Sequence, residues 1–113
     1  MTDRLVPVLI ALGGFFGATA RYLVGTVVAG PSGTLVANVC GSFVLAVAAS
    51  AVRSSRARFF LATGLLSSFT TYSTFAVETT SLGPTWGLAN VGATYAFGFA
   101  AAFLGLAVGR RYS

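Results

Sequence analysis

The sequence predicts an all-α integral membrane protein with four transmembrane helices, the third of them broken. Three observations carry that expectation. First, 56% of its 113 residues are hydrophobic and only 8% are charged, with a mean hydropathy of +0.86. About a quarter of the residues in a water-soluble domain are charged, so this chain lacks the polar surface to meet water on all sides. Second, four apolar stretches each approach the roughly 20 residues that a helix needs to cross about 30 Å of hydrocarbon. Third, the run Leu65 to Phe75 crowds Ser67, Ser68, Thr70, Thr71, Ser73 and Thr74 into the middle of one such stretch. Lipid offers no partner to those hydroxyls or to backbone groups released by a break. The segment must therefore be buried in protein or line a polar path.

The first span runs from about Leu5 to Val28. Its apolar run is too long for a cleaved signal peptide, and Arg21 lies deep within it. Gly30-Pro31-Ser32 ends it, and the second span follows from about Gly33 to Val52. A polar loop from Arg53 to Arg58 leads to the third span, Phe59 to Glu78, interrupted between Ser67 and Ser73. Leu82-Gly83-Pro84-Thr85 closes the last connection before a fourth span, Trp86 to Val108, with Trp86 as an interface anchor. Residues 1–113 thus read as a single four-helix transmembrane domain, with no room for a second domain and no internal repeat.

In a soluble protein the net charge of +5 would suggest nucleic acid. Here the arginines lie between apolar blocks, so they read as topology signals and contacts to lipid headgroups, with no nucleic-acid partner. Arg4, Arg53, Arg56, Arg58, Arg110 and Arg111 all fall on one face, and the opposite face has no loop arginine. The positive-inside rule places both termini in the cytoplasm of a multi-pass plasma-membrane protein. Lysine and histidine are absent, and Asp3 and Glu78 are the only carboxylates, a thin repertoire for acid–base or metal chemistry. No enzyme is expected. The lone Cys40 excludes an intrachain disulfide and reads as a small packing residue. Glu78 reaches interface water or bonds a neighbouring helix end.

Small and polar residues recur at helical spacing. Gly13, Gly17, Arg21 and Gly25 share a face of the first span, and Gly33, Ala37 and Gly41 form a ridge on the second. Thr34, Asn38 and Ser42 make a polar stripe beside that ridge, and Asn90, Thr94, Gly98 and Ala102 repeat the spacing on the fourth span. Small residues let helix backbones approach where lipid supplies no hydrophobic drive. Asn38 stands apart, because a mid-membrane amide must satisfy its donors and its acceptor. It serves either an interhelical bond or a polar path. Arg21, about 25 Å along its helix at 1.5 Å per residue, sits near one end. It can snorkel or occupy a watery vestibule there, in a structural or an anion-attracting role.

Three motifs in order carry a resemblance. Gly13-Gly14-Phe15-Phe16-Gly17-Ala18-Thr19-Ala20-Arg21-Tyr22 is similar to GGxxGAxxRY of the Fluc/CrcB fluoride channels. Gly33 to Phe43 resembles that family's GTLxxNxxGSF, and Thr70-Thr71-Tyr72-Ser73-Thr74-Phe75 resembles its TTFSTF helix break, with Tyr72 in place of the first Phe.

The resemblance implies a passive fluoride-specific channel that acts as an antiparallel dimer and exports cytoplasmic fluoride. It implies pore-lining roles for Asn38, Thr71, Tyr72, Ser73, Phe75 and Tyr95, with Arg21 at a vestibule. It also implies a structural sodium ion on the twofold axis, not transported, held by the backbone carbonyls of Ser67 and Thr70. The family's Gly-Gly is Ser67-Ser68 here, which removes glycine freedom from the break. Aromatic rings suit a desolvated anion because the ring edge is positive. Without the motif, Tyr72 and Phe75 read equally as core packing.

Two alternatives stand beside this one. A small multidrug-resistance type exporter has similar length but needs a carboxylate deep in its first helix, and none lies between Leu5 and Val28. A non-conducting structural subunit, paired with a conducting partner, fits the Tyr72 and Ser67-Ser68 departures. The arginine bias bears on assembly as well. A chain held in one orientation cannot supply its own inverted half, so the expected partner is a second homologous chain in an antiparallel heterodimer, with the homodimer as the other possibility.

Overall fold

The computed structural model describes residues 3–112; Met1, Thr2 and Ser113 of the expected domain lie outside the described residues. Helices α1 (Leu5–Val27) and α2 (Pro31–Ala51) are followed by α3 (Ser55–Arg58), a π-helical stretch (Phe59–Leu66) and α4 (Ser67–Phe69) without a gap. After three non-helical residues come α5 (Ser73–Ser81) and α6 (Gly83–Arg111). No strand occurs among the described residues. Three helices, α1, α2 and α6, are long and apolar enough to cross a membrane. The remaining stretch of comparable length is the interrupted one from Ser55 to Ser81.

Turn chemistry sets the helix starts. Gly30 adopts φ 73°, a left-handed conformation that side-chain-bearing residues avoid, and Pro31 then opens α2 because a first-turn residue needs no N–H partner. The second helix thus begins at Pro31, not Gly33. Gly83 at φ 83° and Pro84 repeat the device, so α6 begins at Gly83, three residues ahead of Trp86.

Backbone approach holds the bundle together. A Cβ on Gly13 would collide with the Phe60 carbonyl, and one on Gly17 with the Leu65 carbonyl, so α1 lies directly on the π-helical stretch. On the other side, Gly105 meets the Phe43 carbonyl and Ala46, while Gly109 meets Ser50, which seats α6 on α2. These two glycines are not the residues expected to form a ridge on the fourth helix, of which Thr94, Gly98 and Ala102 line a groove instead. At Gly98 an added Cβ meets nothing within 4 Å, because that face of α6 borders a groove. Gly17→Val must push α1 off the Leu65 backbone, and overpacking of this kind costs about 1–3 kcal/mol. The expected outcome is a lower melting temperature and partial aggregation in detergent, read by size-exclusion chromatography; a stable, monodisperse Gly17→Val protein would contradict this packing.

The break is narrower than the sequence suggests. Ser67 and Ser68 are helical, and the Ser67 hydroxyl donates to the Thr63 carbonyl one turn back, satisfying itself without unwinding the chain. Only Thr70, Thr71 and Tyr72 leave the helix. Cys40 is exposed instead of packed within the chain. One carboxylate oxygen of Glu78, Oε1, is buried without a hydrogen-bond partner, while the residue as a whole is half-buried.

At one end of the molecule Asp3 accepts from Arg56 Nε at 2.7 Å and Nη2 at 3.2 Å. The Arg56 hydrogen bonds, followed by the Leu5 N–H, hold the Asp3 carboxyl below its usual range. This pair ties the segment before α1 to α3.

Candidate functional site

The site begins with what α2 does to the break. Thr70 is extended (φ −81°, ψ 158°), which turns the chain out of its helix. Its methyl lies where a Cβ on Gly41 would be, so only glycine at that position lets the break sit against α2. One turn away on the same helix, Asn38 Nδ2 donates to the Thr71 carbonyl and Asn38 Oδ1 accepts from the Thr71 N–H, both at 2.8 Å. A single side-chain amide thereby satisfies both backbone groups of the central unwound residue. The Thr71 hydroxyl in turn accepts from the Thr74 N–H at 3.2 Å, one of the unpaired donors at the start of α5.

The clamp has a second consequence. In an uninterrupted helix the Thr71 N–H would bond the Ser67 carbonyl. It is directed to Asn38 instead, so the Ser67 carbonyl loses its helical donor.

Around the clamp lies a cavity of about 250 Å³ bordered by Asn38, Ser42, Thr70, Thr71, Tyr72, Phe75, Thr94 and Tyr95 among others. It contains five of the six residues expected to line a pore. Ser73 is not in the lining; its hydroxyl lies 3.5 Å from the Thr71 hydroxyl. Aromatic rings form a line along the site: Tyr72 to Phe75 at 5.8 Å, Phe75 edge-on to Tyr95 at 6.1 Å and 89°, then Tyr95 to Phe99 at 5.8 Å. Phe75 is buried and Tyr72 projects outward, 72% exposed. The two aromatics of the motif therefore sit in opposite environments.

Arg21 lies elsewhere. Its Nη2 donates to the Thr34 hydroxyl at 3.0 Å, and Thr34 is almost wholly buried between helices. Its Nε is buried without a partner. The arginine therefore turns inward to α2. Ser67 also lies outside the cavity lining, whereas Thr70 borders it.

Sequence reasoning missed Phe99 and the place of Ser42 and Thr94 in the lining. A signal existed for the last two. Ser42 lies one turn beyond Asn38, and Thr94 directly precedes Tyr95.

Hydroxyls, an amide and ring edges converging on one cavity offer several donors to a small anion and no fixed charge. Fold and site together define a multi-pass membrane protein whose interrupted helix is clamped against a groove, the setting in which non-helical backbone is tolerated at membrane depth. A family model described as CrcB-like protein, Camphor Resistance (CrcB), matches residues 8–106, and the chain belongs to that family. It is 51% identical over 112 residues to the fluoride-specific ion channel FluC 2 of Halobacterium salinarum, covering 94% of this chain and 88% of that one. The FluC 1 channel of Haloarcula marismortui is 48% identical over 111 residues, covering 94% and 87%. The FluC channel of Thermotoga maritima is 40% identical over 116 residues, covering 89% and 91%. These relatives are channels by name, not enzymes, and the family match leaves the multidrug-exporter alternative without support.

Proposed function

We propose that this chain is a subunit of a passive, fluoride-specific channel of the plasma membrane, crossing it four times with the third crossing broken. The observation that carries the reading is the Asn38 clamp on Thr71, set beside Tyr72, Phe75 and Tyr95 around one cavity. The named relatives agree with it. Hydrogen fluoride enters a cell as a neutral weak acid, ionises and is trapped; a channel lets the anion leave down its gradient. Fluoride binds water tightly, so a selective path must replace that water with close donors, whereas a wide basic pore would pass chloride as well. Asn38, Thr71, Tyr72, Ser73, Phe75 and Tyr95 supply the lining in this account, and Arg21 with Thr34 borders a vestibule.

The Ser67 and Thr70 carbonyls would hold the structural sodium ion. The donor set fits: one carbonyl has lost its helical partner, the other belongs to an extended residue, and neutral oxygens are hard ligands suited to an alkali cation. Such an ion would offset converging carbonyl dipoles and hold two breaks together across a dimer axis.

The dimer is antiparallel, and the arginine bias selects its composition. With loop arginines on one face only, nearly every copy inserts with both termini inside. The inverted half then comes from a second homologous chain. Relatives whose names carry the numbers 1 and 2 accord with paired chains. A C-terminal tag probed for accessibility in cells checks this, with fluoride resistance measured alongside. The expected result is tags almost all inside, and resistance only when a second homologous chain is co-expressed. A near-even split of tags, with resistance from this chain alone, would establish a dual-orientation homodimer instead.

A further inference from the structure

Gly13 and Gly17 border neither the clamp nor its cavity, yet they touch the backbone that leads to both. Gly13 brings α1 against the Phe60 carbonyl and Gly17 against the Leu65 carbonyl, while Gly64 makes the same approach in return against the Ile10 carbonyl. The two glycines of α1 are four residues apart, about 6 Å along an α-helix. The two carbonyls that meet them are five residues apart. Bonds from i to i+4 stack carbonyls four apart on one face, and bonds from i to i+5 stack them five apart. Phe60 and Leu65 both lie in the π-helical stretch, so its wide turn is what brings both carbonyls to the glycines.

Between the two seats the chain thus holds one residue more than an α-helix would. Ala62 and Thr63, which lie there, border an open groove with Ser55, Arg58 and Phe59, and neither supplies the atoms nearest to the α1 glycines. At the end of the stretch the Ser67 N–H bonds the Ala62 carbonyl, five residues back. The Ser67 hydroxyl takes the Thr63 carbonyl, the acceptor its N–H would use in an α-helix. Beyond this point the bonding is α-helical again, with the Thr70 N–H on the Leu66 carbonyl at 3.0 Å. From the Leu65 seat to the Thr71 clamp the chain therefore has no slack. Each α-helical residue turns about 100°, so a slip of one residue at the Gly17 seat swings the Thr71 backbone away from Asn38 and the Thr70 methyl away from Gly41.

We infer that Gly13 and Gly17 are positioning residues for the ion path: by seating the Phe60 and Leu65 carbonyls they fix the register of the third crossing, and that register presents Thr71 to Asn38. The π-helical turn takes up the surplus residue upstream, so the break itself stays in place. The inference rests on the channel reading and adds to it a contact, one helix removed from the cavity, on which the cavity's shape depends.

The test combines fluoride efflux from vesicles reconstituted with the assembled channel with hydrogen exchange at the Thr71 amide. Three variants are compared with wild type: Gly17→Ala, a deletion of Ala62, and Gly105→Ala, which makes the same kind of backbone collision where α6 meets α2. Gly17→Ala is expected to lower flux by about tenfold or more and to speed exchange at the Thr71 amide, because the turn about the helix axis unseats it from Asn38. The deletion of Ala62 is expected to stay within about threefold of wild type, since an α-helix with carbonyls four apart then meets glycines four apart. Gly105→Ala is expected to lower the melting temperature yet keep flux within about threefold and leave Thr71 exchange unchanged, as an overpacked contact away from the seat should. Wild-type flux and exchange in Gly17→Ala would overturn the inference. So would a deletion of Ala62 that is as inactive as Gly17→Ala, a reading that stands even if the alanine protein fails to assemble. Equal loss of flux in Gly105→Ala would overturn it too, because loosening of any helix would then suffice. A wild-type protein that passes no fluoride, with fast Thr71 exchange in Gly17→Ala, would overturn the channel reading and leave the register standing.

Discussion

Replacing Asn38 with leucine removes most fluoride flux, by more than about tenfold, while leaving a protein that inserts and elutes as wild type. The physical basis is the pair of 2.8 Å bonds to the Thr71 backbone. Leucine leaves the Thr71 N–H and C=O both unsatisfied, at about 1–3 kcal/mol for each buried group. The chain escapes that cost by shifting Thr70 to Tyr72, and the aromatic line that depends on this turn moves with it. The bulk of the fold does not depend on the clamp, since α1 and α6 are seated through Gly13, Gly17, Gly105 and Gly109. Vesicle efflux, paired with size-exclusion chromatography, checks both halves of the expectation. Normal efflux from Asn38→Leu would remove Asn38 from the account.

Phe75→Ile impairs flux by about tenfold, far more than Tyr72→Phe, which stays within about threefold, as the ring interactions of each residue suggest. Phe75 is buried, and its ring meets both Tyr72 and Tyr95, so isoleucine breaks the aromatic line at its centre. Each such ring pair is worth about 0.5–1.5 kcal/mol beyond the area it buries, and two are lost. Tyr72→Phe keeps the ring edge and removes only a hydroxyl from an outward-facing side chain. Efflux rates of the two variants, measured side by side, decide the matter. If Tyr72→Phe were the inactive one, the tyrosine hydroxyl would be the working group in place of the ring.

Much of this architecture is legible in the sequence, because a bilayer leaves few options for an apolar chain. The positions of α1, α2 and α6 follow from hydropathy and length to within a few residues. The hydroxyl-rich run marks the break. Its extent was not legible, because Ser67 can satisfy its hydroxyl on its own helix and so remains helical. The π-helical stretch has no local signature either. Its register accompanies the packing of Gly13 and Gly17 on the Phe60 and Leu65 carbonyls, a tertiary constraint.

Asn38 illustrates the same division at the site. Its depth and type announced a polar task, and the choice between an interhelical bond and a polar path stayed open. The geometry joins the two: the amide holds the break with one donor and one acceptor and borders the cavity as it does so. Arg21 read equally as anion-attracting or structural, and its bond to the buried Thr34 hydroxyl now gives it a packing partner. In the sequence Thr94 reads only as part of the spacing shared with Asn90, Gly98 and Ala102, because a threonine on a helix ordinarily bonds its own backbone. Only the absence of that bond distinguishes it.

Fluoride efflux from vesicles carrying this chain, alone and with a homologous partner, measured beside chloride efflux under the same gradient, tests the central claim most directly. The account predicts rapid fluoride loss, in at least one of the two preparations, with chloride retained. It also predicts that Asn38→Leu in this chain reduces that fluoride loss. Vesicles that retain fluoride in both preparations, or that release chloride as readily, would contradict it. Flux with the partner that is indifferent to Asn38→Leu in this chain would identify a non-conducting structural subunit.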